Sequence, residues 1–299
     1  MDITKTATRT IRDGYALVRI GFKSLTEFEM YLRSDPPVNS HIFKQMMSIN
    51  APTDFSGEPL EKALDYCHGG YRKNFDRFME LKKMMDSVNT AYGHGRKTVS
   101  SVVGSRPNVP SYLAGAPKTM YRIEKVKEKK FIDIYFNLAY GGVTRDEQVI
   151  NRGLLTLNLV SLMEENGIGV NLYVFEACHV ENEVFLAEIS IKKPGEPLNV
   201  GKCFYPLCGK EFVRRLMLRL KESMPFKQDW GISYGLLLDE TKVRELLGIG
   251  GKKLLILSPD KMGIYGRDLY ADADAFLDKL DLQDTISLPG YRKLGDKDK

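Results

Sequence analysis

The chain has 299 residues, 43% hydrophobic and 28% charged, with 44 Lys and Arg against 39 Asp and Glu for a formal net charge of +5. These proportions exclude full-length disorder, collagen and low-complexity repeats, and the length suffices for a large core without disulfide or metal staples. The small surplus permits nucleic-acid contact without demanding it, because a dedicated binder clusters its basic residues more heavily.

Along the chain, Met1 to Ile11 reads as a basic start without the apolar core of a signal peptide. Tyr15–Ile20 is a strand pattern. Ser24-Leu-Thr-Glu27 is a capping box, in which Ser24 accepts from the Glu27 amide while Glu27 reaches back; Pro36-Pro37 ends the helix it opens. Pro59 to Cys67 and Tyr71 to Val88 space their apolar residues at helical intervals. From Gly93 the texture changes to Gly and Pro interleaved with Arg96, Lys97 and Arg106, a linker or functional loop. Lys129–Asn137 then reads as a buried strand, and Thr144-Arg-Asp-Glu147 as a second capping box opening a long, apolar helix. Val170–Phe175 and Val184–Ile191 form a hairpin pattern, and Lys210–Met224 a basic amphipathic helix. Asp239 caps a short helix closed by Gly248, and Lys253–Leu257 is an apolar strand. A last helix at 272–280, an edge strand at 285–288 and a charged tail follow. The division is therefore 1–92 mostly helical, 93–120 linker or loop, 121–290 an α/β domain and 291–299 tail. Strand–helix alternation predicts an α/β fold with a mainly parallel, Rossmann-like sheet covered by helices on both faces.

The order from Phe131 to Leu288 resembles a von Willebrand factor A domain: a first strand, a long buried helix, an antiparallel hairpin and a later strand ending at Ser258-Pro-Asp260. In that family the first strand ends in Asp-x-Ser-x-Ser, which holds a divalent metal. Asn137, Ala139 and Gly141 stand at the matching positions, and Asn137 alone keeps a side-chain oxygen, so the resemblance implies a degenerate site and no metal. Phe55-Ser-Gly57 and Asn108–Pro117 also resemble a bacteriophage protein family that joins such a domain to a helical N-terminal region.

Ligands of open α/β sheets meet the loops at the carboxyl ends of the strands. Asn137, Tyr140, Gly141, Thr144, Ser258 and Asp260 are therefore the candidate partner-binding residues, and Gly141-Gly142 before the Thr144-capped helix is a weak anion motif. Arg214, Arg215 and Arg219, interleaved with apolar residues, form a candidate phosphate-binding stripe; Arg96, Lys97 and Arg106, flanked by Tyr92 and Tyr112, form a second basic group. Cys203-x4-Cys208 with Cys178-His179 is a loose match to a zinc site, and buried thiols are the simpler reading. No Gly-x-Ser-x-Gly elbow and no phosphate loop occurs; Gly248–Lys253 leads from helix to strand, the wrong order for one.

Two functions follow. The first is a non-enzymatic phage adaptor in the host cytoplasm that assembles protein partners and needs no cofactor and no membrane. The alternative is an accessory protein binding single-stranded DNA or RNA in phage transcription or replication. A divergent hydrolase or nucleotide-binding enzyme is a third class, with no catalytic residue to name.

Overall fold

The computed structural model describes residues 7–12, 14–41, 55–69, 71, 75–76, 79, 96–104, 106–125, 130–141, 144–165, 168–230, 234–248 and 254–257. The expected helix from Tyr71 to Val88 falls mostly outside them, and the elements expected after 257 fall wholly outside, Ser258 and Asp260 included.

The chain opens with strands β1 (Thr8–Arg12) and β2 (Tyr15–Phe22), then helices α1 (Leu25–Arg33) and α2 (Leu60–Gly69). Ser24 caps the helix as read, its Oγ accepting the Glu27 amide at 3.1 Å, and Glu27 reaches back to the residue before the cap, its Oε2 accepting the Lys23 amide at 2.5 Å. Next come β3 (Arg96–Ser101), β4 (Arg106–Pro107), α3 (Val109–Leu113) and β5 (Met120–Lys125). The α/β elements are β6 (Lys130–Asn137), α4 (Asp146–Glu165), β7 (Ile168–Val180), β8 (Glu183–Lys192) and α5 (Val200–Cys208). A π-helical segment, Phe212–Met217, runs into α6 (Leu218–Glu222). Strand β9 (Leu236–Leu237), helix α7 (Glu240–Leu247) and strand β10 (Leu254–Leu257) complete the described chain.

Seven strands form one sheet in the order β1-β2-β8-β7-β6-β10, with β9 added to β7. A second, three-stranded sheet, β3-β5-β4, shares no strand with it. Among the described residues five strand pairings are antiparallel (β1–β2, β7–β8, β7–β9, β3–β5, β4–β5) and three are parallel (β2–β8, β6–β7, β6–β10). The mainly parallel, Rossmann-like sheet of von Willebrand A type, preceded by a mostly helical N-terminal region, is thereby corrected to a mixed α/β architecture. The physical reason is local. A parallel pair needs a long crossover, whereas the chain turns back within two residues at Glu181-Asn182 and near Gly14, which forces antiparallel neighbours. Glu181 (φ 46°) and Gly14 (φ 84°) adopt the left-handed backbone that such turns use. The N-terminal segment, moreover, contributes two strands to the central sheet, since β2 lies parallel to β8 from Ala16↔Glu183 to Phe22↔Ile189.

One face of the central sheet carries Val18, Ile20, Ile132, Ile134, Phe136, Val170, Leu172, Val174, Phe185 and Ile189, and packs against α1, α2, α4, α5 and the helix through residue 222. On the opposite face Leu17, Phe175, Ala177, Val184 and Leu186 pack beneath Val243, Leu246 and Leu247 of α7. That helix starts with Asp239, which accepts the Lys242 amide at 2.9 Å, and stops at Gly248 in the left-handed conformation (φ 71°). No helix among the described residues is long and apolar enough to cross a membrane.

Candidate functional site

The carboxyl end of β6 meets the first turn of α4 at the sheet-end position expected to bind partners. Asn137 is buried, and its Oδ1 accepts the Ala139 amide at 3.0 Å, closing a turn on itself. Its carbonyl receives the guanidinium of Arg152, which is also buried and lies 3.9 Å over the Phe136 ring. A fixed positive group therefore stands beside this strand end, a poor neighbour for a divalent cation. Among the described residues no three His, Cys, Asp or Glu side chains cluster as a metal site requires. Thr144 is buried as well, while Tyr140 and Gly141 are half-buried. Helix α4 starts one residue later than the Thr144 box expected: the Arg145 amide donates to Gln148 Oε1 at 3.1 Å, so Gln148 closes the helix start. Thr144 Oγ1 and the Tyr140 hydroxyl are buried without a hydrogen-bond partner, and burial holds the Tyr140 phenol well above its ordinary pKa. Among the described residues, Asn137 Oδ1 and the Thr144 carbonyl at this end are taken up internally, while Tyr140 and Gly141 stay half-exposed.

The expected phosphate-binding stripe is corrected most sharply. Arg214, Arg215 and Arg219 are only 6%, 1% and 5% exposed. Arg214 donates to the carbonyls of Phe55 (3.1 Å) and Thr144 (3.3 Å) and lies 4.3 Å over the Phe55 ring. Arg215 Nε donates to the Glu58 carbonyl at 2.8 Å. Arg219 Nη2 bonds Asp35 Oδ1 at 2.8 Å and the Pro36 carbonyl at 2.5 Å. These guanidiniums satisfy loop carbonyls from inside, a task suited to the planar five-donor fork of Arg. The π-helical turn at 212–217 carries Arg214 and Arg215, and the loop Phe55-Ser-Gly57 is pinned against it: a Cβ at Gly57 would come within 2.5 Å of Glu211 Cγ.

Two buried polar groupings escaped the sequence reading. Lys221 Nζ bonds Glu176 Oε1 at 2.5 Å and the Tyr234 carbonyl at 3.1 Å, while the Tyr234 hydroxyl donates to Glu222 at 2.6 Å. Glu183, fully buried, accepts from Arg9 Nε and Nη2, the Lys227 and Gln228 amides and Trp230 Nε1, all within 3.2 Å. Alternation at residues 176 and 183 gave a hint, since a carboxylate on a core-facing strand position needs a partner. The four cysteines are free and buried, and each thiol points at a main-chain carbonyl. Burial pushes the Cys178 and Cys203 thiols up to about 12, which leaves them neutral and unreactive near pH 7. The zinc arrangement does not assemble.

The second sheet presents the opposite character. Strands β3 and β4 both flank β5, with Ser101 and Pro107 each opposite Met120, so the connections after β3 and β4 leave from one end of this arm. Those connections carry Val102, Val103, Val109, Tyr112 and Leu113, all 55–78% exposed. The tip is ordered by polar closure instead of apolar burial. Asn108 Oδ1 accepts the Ser111 amide at 3.2 Å, and at the other end of α3 the Ala116 amide donates to the Ser111 carbonyl at 2.9 Å. Arg106 lies directly across from Tyr121 in register, and Arg106, Lys118 and Arg122 are exposed. Arg96 and Lys97 lie in β3, with Arg96 opposite Lys125 and Lys97 opposite Glu124 in the register. The segment that reads as a Gly/Pro loop is therefore a folded arm carrying the second basic group, and Arg214, Arg215 and Arg219 are not part of it.

Fold and sites together define a mixed α/β body, with an internally bonded turn after β6, and a basic, apolar-tipped arm. The chain matches the model of a family described as a domain of unknown function, DUF7192, over residues 5–284, and belongs to that family. No curated protein and no solved structure matches it.

Proposed function

We propose that this protein works by binding a partner protein, without catalysing a reaction, and that its contact element is the tip of the arm at residues 96–125. One observation carries the reading: five large apolar side chains, Val102, Val103, Val109, Tyr112 and Leu113, stand in solvent on an element ordered by its own caps. Ordered apolar surface of this kind marks interaction sites, because it costs hydration with no folding benefit in return. The turn after β6 lends further support, since Asn137 Oδ1 and the Thr144 carbonyl are both taken up internally. The resemblance to bacteriophage proteins supports a setting in the cytoplasm of an infected host, with no membrane and no cofactor in the function. The test is affinity capture from infected cells with the full chain and with the double variant V103S/L113S at matched thermal stability. Proteins retained by the unaltered chain should be lost by the variant; an unchanged set would refute the reading.

A further inference from the structure

Independently of the apolar tip, the location of charge points to a second partner. Residues 96–125 hold six Lys or Arg (Arg96, Lys97, Arg106, Lys118, Arg122, Lys125) and one acid, Glu124. That stretch alone carries a net +5, and the other residues hold 38 basic and 38 acidic groups. The entire surplus of the chain therefore resides in one small sheet. The cationic groups of the body's most basic helix are turned inward onto Phe55, Glu58, Thr144 and Pro36 carbonyls, which removes the main competing surface.

We infer that the arm binds single-stranded nucleic acid through Arg106, Lys118 and their basic neighbours, with Tyr112 and Tyr121 offering faces on which bases stack. Arg106 and Tyr121 emerge side by side from facing positions of β4 and β5, so a phosphate contact and a base contact fall within one nucleotide's reach. Tyr112, 70% exposed on α3, supplies a second ring at the end of the same arm. A polyanion approaching a neutral body with a +5 arm is steered to the arm, and neutralising phosphates there releases counterions. An acidic protein would also satisfy the charge, and poly-glutamate as a competitor stands in for it in the test below. The pairing of cations with exposed rings suits a chain of phosphates and bases, and bases free to stack on a ring are those of single strands.

The test uses the full chain and a fluorescein-labelled dT20 followed by anisotropy, with the matching duplex and poly-glutamate as comparison probes. Binding of dT20 is expected with a dissociation constant of about 1–100 µM near physiological salt. With four to six phosphate contacts, affinity should fall about 50- to 300-fold between 50 and 200 mM NaCl. R106E/K118E should abolish most binding, and K118E alone, in the connection before β5, covers the case in which the double variant misfolds. Y112A should weaken dT20 several-fold while leaving the duplex unchanged. V103S/L113S should bind dT20 normally, which separates this inference from the protein-docking reading. Absence of dT20 binding at 50 mM NaCl, a flat salt dependence, full binding by correctly folded R106E/K118E, or equal competition by poly-glutamate would each overturn it.

Discussion

Glu183 gives the most demanding test of the packing described above. It is the first residue of β8, fully buried, and its carboxylate receives five N–H groups: two from Arg9 on β1, the Lys227 and Gln228 amides, and Trp230 Nε1. Replacing it with Ala removes the acceptor for all five. Arg9 is partly exposed and can turn to water. The buried indole N–H of Trp230 and the two part-buried amides lose their partner. An unsatisfied buried donor costs about 1–3 kcal/mol, and water entering the vacated space recovers part of that. The expected loss for Glu183→Ala is about 3–5 kcal/mol, in line with the removal of one member of a buried ion pair. Glu183→Gln keeps the shape and one acceptor oxygen but turns an amide N–H₂ toward donors, and should lose about 2–3 kcal/mol. Urea unfolding followed by tryptophan fluorescence measures both, because the single tryptophan is Trp230 and sits in the network itself. A loss below about 1 kcal/mol for Glu183→Ala, with the slope against urea unchanged, would refute the claim that this carboxylate ties β1 and the 227–230 loop to β8.

Further outcomes follow from the same structure. Arg215→Lys keeps the charge but loses the Nε–H that serves the Glu58 carbonyl, and should destabilise by about 1–3 kcal/mol in a thermal melt; a neutral result would favour a solvent-facing role. Gly57→Ala forces a Cβ into Glu211 at a left-handed backbone position (φ 71°), with an expected loss of about 2–4 kcal/mol by the same melt. Stability should fall above pH 9. The Cys178 and Cys203 thiols titrate at about 12 when folded against 9.0 as ordinary thiols, so between those values the unfolded chain has lost protons that the folded chain keeps. Each steepens the decline of stability with pH, and Cys203→Ala should make the slope of unfolding free energy against pH measurably shallower. V103S/L113S should change the melting temperature by no more than about 2 °C, since both side chains already stand in water.

What the sequence determined by itself was local. Ser24 before Leu25, Asp239 before Glu240 and Gly248 after Leu247 state their helix ends in residue types, because a cap is a bond between neighbours three residues apart. The apolar runs read at 129–137, 170–175 and 184–191 coincide with or fall within β6, β7 and β8 because strand patterning is also local, and the turn at Glu181-Asn182 joins the last two into a hairpin longer than the sequence showed. Only the tertiary structure decided which strands lie side by side. The parallel pairing of β2 with β8 joins residues more than 160 positions apart, and no local pattern encodes it. It also decided what each positive charge does. Arg106 and Arg214 look alike in sequence, each a cation near apolar residues. One stands in solvent on the arm, and the other lies between the Phe55 and Thr144 carbonyls, because a guanidinium follows whichever acceptors the fold brings within reach. The net charge of +5 was readable from composition. Its concentration in residues 96–125 was readable too, but had meaning only once pairing with β5 turned a Gly/Pro-rich stretch into a folded arm.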